Sequence, residues 1–362
     1  MNFSEKEFGF IDYVFTLTDD VGIFQHSVYG IPDPGKGYTT DDNSRALILA
    51  VMLFESFKEI KYLRLVCKYL AFILNAQNDN GKFKNFMNYN REFMEEEGSE
   101  DCFGRTLWAL GRTISSPAIP KNIKKSCQHI LNKAFENWPK IDSPRAKAYS
   151  IVGLSYLEGT EDIINHIDSL AMSLARQYTQ YKDGDWHWFE DSMAYGNAFF
   201  PWSLFKAYII LKNDVLLETA RESMDFLGKI TLKNAYFKPI GCNGWLMKGE
   251  EAAEYDEQPI EACEMLLSYL DYYEITKDKK YLDYAVKCFS WYTGQNSKGL
   301  SLLDEETGAC FDGLNENGLN LNQGSESIVS YGIAFMEISR KVKLMTLEGH
   351  WLKKDSFFVR KF

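Results

Sequence analysis

Acidic and aromatic residues are concentrated in the stretches that precede the predicted helices of this chain. The segment GDWHWFED, residues 184–191, places two tryptophans, a histidine and three carboxylates within eight residues. Other predicted helices also begin with acidic groups, namely Asp41 and Asp42, Glu100 and Asp101, Asp256 and Glu257, and Glu326. Aromatic rings stack on the apolar faces of sugars, and two carboxyl groups can act as acid and base at a glycosidic bond. The combination favours a carbohydrate site.

Four carboxylates form the pool from which we expect the catalytic acid and base, namely Asp42, Asp101, Asp191 and Glu326. The predicted substrate contacts are Asp41, Arg105, Trp186, His187, Trp188, Tyr195, Trp245, Gln258 and Asp312. Arg45 stands one turn after the adjacent aspartates and can pair with either of them. Because an acidic residue at a helix start also caps the helix and interacts favourably with its dipole, capping alone is the alternative role of each carboxylate.

Other kinds of catalytic site find little support in the motifs. No pair of histidines has the HxxxH spacing of a zinc site, and we predict neither a metal nor a cofactor. A calcium ion held by loop carboxylates stays open as an alternative. The glycine-rich phosphate loop and the GxSxG elbow are missing, which argues against nucleotide-dependent enzymes and serine hydrolases. A diphosphate-binding DDxxD motif is interrupted because Arg45 occupies its fifth position.

A regular series of helices must position these residues. Amphipathic runs with the helical period cover roughly residues 3–17, 60–76, 120–138, 160–180, 213–232 and 278–294. In the second run, the predicted buried stripe is Leu63, Cys67, Leu70 and Leu74. Each run is followed by a loop and then by a more apolar helix that begins near Asp41, Asp101, Pro144, Asp191, Glu257 or Ser325. The chain thus repeats one helical hairpin six times.

Six successive hairpins predict an all-α fold, the (α/α)6 toroid, with a ring of inner helices inside a ring of outer helices. An open solenoid of stacked helix pairs is the alternative. Closure is favoured because the last pair is as apolar as the middle pairs and because the long loops all precede inner helices. Long loops at one end of a rigid scaffold commonly carry a ligand site. We predict one domain over residues 1–340 and an aromatic, basic tail over residues 341–362.

Composition limits the partners and the compartment. The net charge of −11 and the lack of a basic cluster longer than KNIKK, residues 121–125, argue against a nucleic-acid partner. Neither a signal peptide nor an apolar run of membrane-spanning length is visible, so we expect a cytoplasmic protein without membrane contact. Seven cysteines without a CxxC pair are typical of buried, reduced thiols.

Five segments carry a resemblance to known proteins. They are LTDDVGIFQHSVYGIPDPGKGYTTDDNSRALI at 17–48, EDCFGRTLWALG at 100–111, WHWFED at 186–191, DEQPIEA at 256–262 and NQGSES at 322–327. Together they resemble a bacterial family of six-hairpin, glycosidase-like domains, which occur alone or joined to the C-terminus of glycosyltransferases. The resemblance implies a toroid, a role in carbohydrate metabolism and, as one option, a glycosyltransferase partner.

The wider superfamily adds two expectations about activity. Its α-mannanases use an adjacent pair of aspartates, and the resemblance offers that role to Asp41 and Asp42. Its sugar 2-epimerases use histidines on inner helices, whereas the predicted inner helices of this chain contain none.

We therefore predict a glycoside hydrolase that acts on an oligosaccharide, with mannose-containing oligosaccharides as one option. The separation of its two catalytic carboxyl groups decides between inversion and retention. The alternatives are a non-catalytic glycan-binding or glycosyltransferase-partner module, and a sugar epimerase, lyase or isoprenoid cyclase on the same toroid.

Overall fold

The computed structural model describes residues 9–347, and twelve α-helices dominate this part of the chain. The outer helices are α1 (Gly9–Thr16), α3 (Ile60–Ala76), α5 (Lys121–Ala134), α7 (Glu161–Tyr181), α9 (Asp214–Thr231) and α11 (Lys279–Tyr292). The inner helices are α2 (Thr40–Phe57), α4 (Glu100–Ser115), α6 (Pro144–Leu154), α8 (Phe199–Leu211), α10 (Pro259–Thr276) and α12 (Ser325–Leu347). The predicted alternation of outer and inner helices is confirmed.

The inner helices form a closed ring. Each packs against the next along the chain, and α12 packs back against α2, so the toroid prediction is confirmed and the open solenoid is excluded. Glycines let α4 and α6 approach closely: a Cβ atom on Gly111 would lie 2.0 Å from the carbonyl oxygen of Gly153. A side chain at this position would therefore force the two helices apart.

One inner helix begins later than the sequence indicated. The fourth starts at Phe199, whereas we predicted a start near Asp191. The intervening residues form strand β5 (Ser192–Met193), which pairs antiparallel with β6 (Leu246–Met247). Gly196 then adopts a φ of 61°, a left-handed conformation that a right-handed helix cannot include. Asp191 is therefore a loop residue and does not begin a helix.

The predicted buried stripe of α3 is correct only in part, since Leu70 is buried and Leu63 is partly buried whereas Cys67 is exposed. The helix buries a neighbouring stripe that includes Tyr62, Val66, Tyr69 and Ile73 and leaves Leu74 about half exposed. This stripe has the same helical period but carries two tyrosine rings, so it buries more apolar surface. Cys67 accordingly lies on the exposed side of α3, while Cys127, Cys263 and Cys288 are buried as expected; all seven cysteines are free.

The loops gather at one end of the ring, which we call the loop face. Loops that return from an inner to an outer helix are as short as two residues, at 58–59, 212–213 and 277–278. Loops that lead into inner helices are long and carry further two-stranded antiparallel pairs, namely β1 (Ser27–Val28) with β2 (Ile31–Pro32), β3 (Tyr38–Thr39) with β4 (Phe86–Met87), and β7 (Gly313–Asn315) with β8 (Gly318–Asn320).

The predicted domain boundary at residue 340 lies inside a helix. Helix α12 continues past residue 340 to Leu347, and the rest of the predicted tail lies outside the described residues. Within residues 9–347, no helix combines the length and the apolar character needed to cross a membrane.

Candidate functional site

The first turns of the inner helices bring a set of charged side chains together at the loop face. We call this set the mouth cluster: Asp41, Asp42 and Arg45 on α2, Asp101 and Arg105 on α4, Arg145 and Tyr149 on α6, Glu261 and Glu264 on α10, and Glu326 on α12. The cluster forms because five inner helices point their N-terminal ends at the same side of the ring. Side chains from these turns meet although they are up to 285 positions apart in sequence.

Arg45 bridges two carboxyl groups of the cluster. Its Nη1 lies 3.3 Å from Oδ1 of Asp42, and its Nη2 lies 3.1 Å from Oε2 of Glu326. Since one guanidinium separates them, the two carboxyl groups are at most about 9 Å apart, a limit that admits both inverting and retaining geometries. The Asp42 side chain is 6% exposed and that of Glu326 is 42% exposed.

The two bridged carboxyl groups differ in environment. Burial raises the pKa of Asp42 to about 6, although Arg45 acts in the opposite direction. The Thr39 hydroxyl donates a hydrogen bond of 2.6 Å to Oδ2 of Asp42 and holds this carboxyl group in place. A buried carboxyl group that titrates near neutral pH next to an accessible carboxylate is a common arrangement of acid–base catalysts.

Arg105 organises the neighbouring part of the cluster. Its Nη1 donates to Oδ2 of Asp41 over 3.1 Å, and its Nη2 donates to the Tyr149 hydroxyl over 3.2 Å. The guanidinium also lies over the Tyr149 ring, 4.7 Å from the centroid. Asn85, from the loop before α4, donates to the same Asp41 oxygen over 3.2 Å.

Tyr195 forms part of the rim of the site and is 40% exposed. Its hydroxyl donates to Oδ2 of Asp101 over 2.9 Å, and the Ser143 hydroxyl donates to Oδ1 over 2.8 Å. The Arg145 guanidinium lies 4.6 Å from the centre of the Tyr195 ring, and its Nε donates to the Tyr195 carbonyl over 2.7 Å. Tyr195 is therefore held by its hydroxyl group, by its backbone carbonyl and by the guanidinium that covers one face of its ring.

Two buried glutamates on α10 lie one helical turn apart. The backbone N–H of Gly196 donates to Oε1 of Glu261 over 2.6 Å. Burial raises the pKa of Glu261 to about 7, and burial together with the nearby Glu261 charge raises the pKa of Glu264 well above its usual range. A Cβ atom on Gly196 would lie 3.0 Å from the Tyr149 hydroxyl, so glycine is what fits where this loop meets the cluster. Glu264 therefore holds its proton more tightly than a glutamate in water does.

Unsatisfied polar atoms are concentrated at the cluster. Of nine buried side-chain atoms without a hydrogen-bond partner in the described part of the chain, four belong to the cluster, namely Asp41 Oδ1, Arg105 Nε, Arg145 Nη2 and Glu264 Oε2, and a fifth, Asn197 Oδ1, lies on the adjoining loop beside Glu261. Buried polar groups in proteins are normally hydrogen-bonded, so these atoms are open to partners such as ordered water or a ligand. Two donors and three acceptors suit hydroxyl groups, which both donate and accept.

The segment GDWHWFED does not form the predicted sugar-binding wall. Trp188 is fully buried and packs on Phe189 and Phe200, so neither of its faces is available to a ligand. Trp186 is also buried, and its Nε1 donates to the Glu190 carbonyl over 2.8 Å. The rings anchor the loop to the outer helices because burying them excludes more water than stacking on a sugar would.

His187 is turned away from the cluster as well. Its Nδ1 lies 3.3 Å from the Tyr178 hydroxyl of α7 and 4.0 Å from the carboxylate of Glu222 on α9. The segment still contributes one contact, because Glu190 pairs with Nη1 of Arg145 over 2.8 Å. Asp191 is exposed, and its carbonyl accepts a bond from the Lys248 backbone as part of the β5–β6 pair.

The remaining predicted residues have different positions. Asp312 accepts hydrogen bonds from the Gly324 N–H over 2.7 Å and from the Ser327 hydroxyl over 2.6 Å, so it fixes the start of α12 rather than facing a substrate. Gln258 is the N-cap residue of α10 but makes no side-chain capping bond. Trp245 is 41% exposed on the loop before α10. For Gln258 and Trp245, substrate contact stays a prediction.

Glu261, Glu264, Arg145 and Tyr149 were not among the site residues predicted from the sequence. The signal for the glutamates was present, since both stand one turn apart in the otherwise apolar run PIEACEMLL. Arg145 lies in the first turn of α6 after a short connection that carries few acidic or aromatic residues, so the sequence did not mark it. Among residues 9–347, no three His, Cys, Asp or Glu side chains are arranged to hold a metal ion.

Comparison with solved structures establishes the fold class. No family model and no curated protein matches the sequence. A sugar epimerase from a ruminal bacterium superposes with a TM-score of 0.72 at 13% identity, over 93% of this chain and 98% of the other. The cellobiose 2-epimerase of Spirochaeta thermophila superposes with a TM-score of 0.71 at 12% identity, over 94% of this chain and 96% of the other. The GH76 α-mannanase of Bacteroides thetaiotaomicron superposes with a TM-score of 0.65 at 10% identity, over 95% of this chain and 98% of the other.

The chain has the six-hairpin glycosidase-like fold. This similarity confirms the fold that the sequence segments implied. At 10–13% identity it concerns the fold alone, and the activity has to be argued from the mouth cluster.

Proposed function

We propose that this protein is a carbohydrate-active enzyme that hydrolyses a glycosidic bond of a neutral oligosaccharide at the mouth cluster. The observation that carries the proposal is the pair of carboxyl groups, Asp42 and Glu326, held on either side of the Arg45 guanidinium. One of them is buried and has a raised pKa, and the other is accessible. Hydrolysis of a glycosidic bond needs one proton donor and one carboxylate at such a separation.

The charge of the cluster supports a neutral substrate. The three guanidinium groups of the cluster are already paired, Arg45 with Asp42 and Glu326, Arg105 with Asp41, and Arg145 with Glu190, so a phosphate or a uronic acid would find no unpaired guanidinium among them. The unpartnered atoms instead offer both donors and acceptors, as sugar hydroxyl groups require. Tyr195, fixed by Asp101 and Arg145, is suited to stack on a sugar ring.

Asp42 is assigned as the acid and Glu326 as the base or nucleophile. The carboxylic acid of Asp42 protonates the glycosidic oxygen while the bond from that oxygen to the anomeric carbon breaks. The Glu326 carboxylate either removes a proton from the water that adds to this carbon, or adds to the carbon itself and is later displaced by water. Arg45 keeps both groups in position.

An epimerase or isomerase on the same site is the second candidate. The α10 glutamates favour it, because a buried pair with one pKa of about 7 can exchange a proton near neutral pH, as proton transfer at a sugar carbon requires. The described inner helices contain no histidine that could take this role. Incorporation of deuterium from heavy water into a recovered sugar would mark this reaction and distinguish it from hydrolysis.

A panel of oligosaccharides tests the proposal. The purified protein is incubated with manno-, gluco- and galacto-oligosaccharides, with and without phosphate, and products are separated by chromatography. New reducing ends without phosphate consumption support hydrolysis, and their loss in Asp42→Asn, but not in the outer-helix variant Asp168→Asn, assigns it to the cluster. Mannose-containing substrates and a glycosyltransferase partner remain predictions that the panel and a co-purification experiment address separately.

A further inference from the structure

A cavity of about 450 Å³ opens on the loop face outside the mouth cluster. One wall is the end of the loop that leads into α10, and the other is the turn between β7 and β8. We call it the loop pocket, and its polar lining includes Asn243, Glu254, Tyr255, Asp256, Asn315 and Asn317.

The two walls of the loop pocket are tied together. At the base, Glu257 and Leu314 exchange backbone hydrogen bonds of 2.8 and 3.0 Å. The buried Glu257 carboxylate accepts a bond of 2.7 Å from Nε1 of Trp291, which anchors this base. At the side, the Lys298 ammonium donates to the Glu316 carbonyl over 2.8 Å and lies 4.5 Å from the centre of the Tyr255 ring. The loop pocket is therefore formed without a ligand, as binding sites usually are.

The lining has the chemistry of a site for a neutral polyhydroxyl ligand. The amides of Asn243 and Asn317 are exposed and offer donors and acceptors, and the partly exposed Asp256 carboxylate offers acceptors. Both lysines near the loop pocket are engaged, Lys298 with the Glu316 carbonyl and Lys238 with Glu254 over 3.6 Å. An anionic ligand would consequently face carboxylates rather than available cations.

The loop pocket and the mouth cluster share their supporting elements. The loop that forms one wall runs directly into α10, which carries Glu261 and Glu264. Strand β8 of the other wall leads within a few residues to Glu326 at the start of α12. The two sites are therefore joined by short segments of chain, which suits a ligand that contacts both.

We infer that the loop pocket is a second binding site, which takes a neutral sugar unit remote from the bond at the mouth cluster. The inference rests on the proposed function, and it makes the substrate an extended oligosaccharide rather than a disaccharide. Contacts to a remote unit are made equally in the ground and transition states, so they lower KM more than they raise kcat.

Chain-length dependence tests the inference. Manno- and gluco-oligosaccharides of two to six units are assayed with the wild type, Asn243→Ala and the α5 surface control Asn122→Ala. The wild type and Asn122→Ala should show kcat/KM rising with length. In Asn243→Ala, kcat/KM for the hexasaccharide divided by kcat/KM for the disaccharide should fall about tenfold. The fall should come mainly from a higher KM for the hexasaccharide, because the variant loses one hydrogen bond. An unchanged ratio in Asn243→Ala overturns the inference.

A direct binding measurement separates this inference from the proposed function. Calorimetric titration of the full chain with the same hexasaccharides reports binding whether or not any bond is cleaved. Weaker binding by Asn243→Ala and by Lys298→Ala, which loses the tie between the walls, supports the loop pocket even if hydrolysis is absent. Equal affinity of both variants and the wild type, or affinity that depends on added calcium, contradicts it.

Discussion

The buried Glu261 carboxyl group makes a quantitative prediction about the pH dependence of stability. Its pKa is raised from the ordinary 4.5 to about 7 because folding removes it from water. The native state therefore binds this proton more tightly than the unfolded state does. The resulting stabilisation is fully present below about pH 4.5 and is lost as pH rises to about 7.

The size of the effect follows from the two pKa values. At about 1.36 kcal/mol for each pKa unit, the full loss is about 3 kcal/mol, of which about 2.5 kcal/mol falls between pH 5 and pH 8. In Glu261→Gln the amide oxygen can still accept the Gly196 N–H, but nothing at this position titrates. The free energy of unfolding of the variant should therefore gain about 2.5 kcal/mol relative to the wild type between these two pH values.

Urea unfolding followed by circular dichroism at pH 5 and pH 8 measures this difference. The control is Glu218→Gln, an exposed glutamate on α9, for which the difference from the wild type should not change with pH. Any constant cost of the Glu261 substitution cancels in the comparison. The contrary result is that the free energies of unfolding of Glu261→Gln and the wild type differ by the same amount at both pH values, within about 0.5 kcal/mol. That result would refute the claim that folding buries an ionisable group at Glu261.

Three further predictions concern catalysis and packing. If Asp42 is the acid, kcat/KM measured over a pH series falls as the pH rises through about 6. A kcat/KM that rises over the same range would instead assign Asp42 as a base. Asp42→Asn should lower kcat/KM roughly 10²–10⁴-fold on natural oligosaccharides, but far less on nitrophenyl glycosides, because their leaving groups need no protonation. Equal losses of kcat/KM on the two kinds of substrate would argue against Asp42 as the acid. Gly111→Ala should lower stability by about 1–3 kcal/mol in thermal melting, because its Cβ would meet Gly153, whereas Gly159→Ala, which meets only ordinary contacts, should not.

The fold was predictable because the toroid repeats one strong signal. Each hairpin carries the helical period of apolar residues, and errors in one run, such as the stripe of α3, do not alter the count of six. The late start of α8 was missed because the conformation of Gly196 depends on contacts with Glu261 and Tyr149 rather than on its neighbours in sequence. The sequence thus identified the helices more reliably than the path of the loops between them.

The sequence predicted members of the candidate site only where acidic residues stand at the starts of inner helices. The structure brings Asp42, Asp101 and Glu326 to the same face because acidic residues in the first turns of inner helices meet when the ring closes, and their catalytic role stays a prediction. The tryptophans of GDWHWFED were misassigned because composition does not distinguish rings that line a site from rings that anchor a loop. Glu264 was missed because its importance comes from burial beside other carboxyl groups, which is a property of the assembled ring.

The most direct test of the account compares two acidic residues that the sequence alone could not rank. Glu326→Gln and Asp191→Asn are assayed beside the wild type on the oligosaccharide that the panel identifies as the best substrate. The account predicts that Glu326→Gln abolishes cleavage, because it removes the carboxylate held by Arg45, whereas Asp191→Asn retains it. Full activity of Glu326→Gln together with loss of activity in Asp191→Asn would contradict the assignment of catalysis to the mouth cluster.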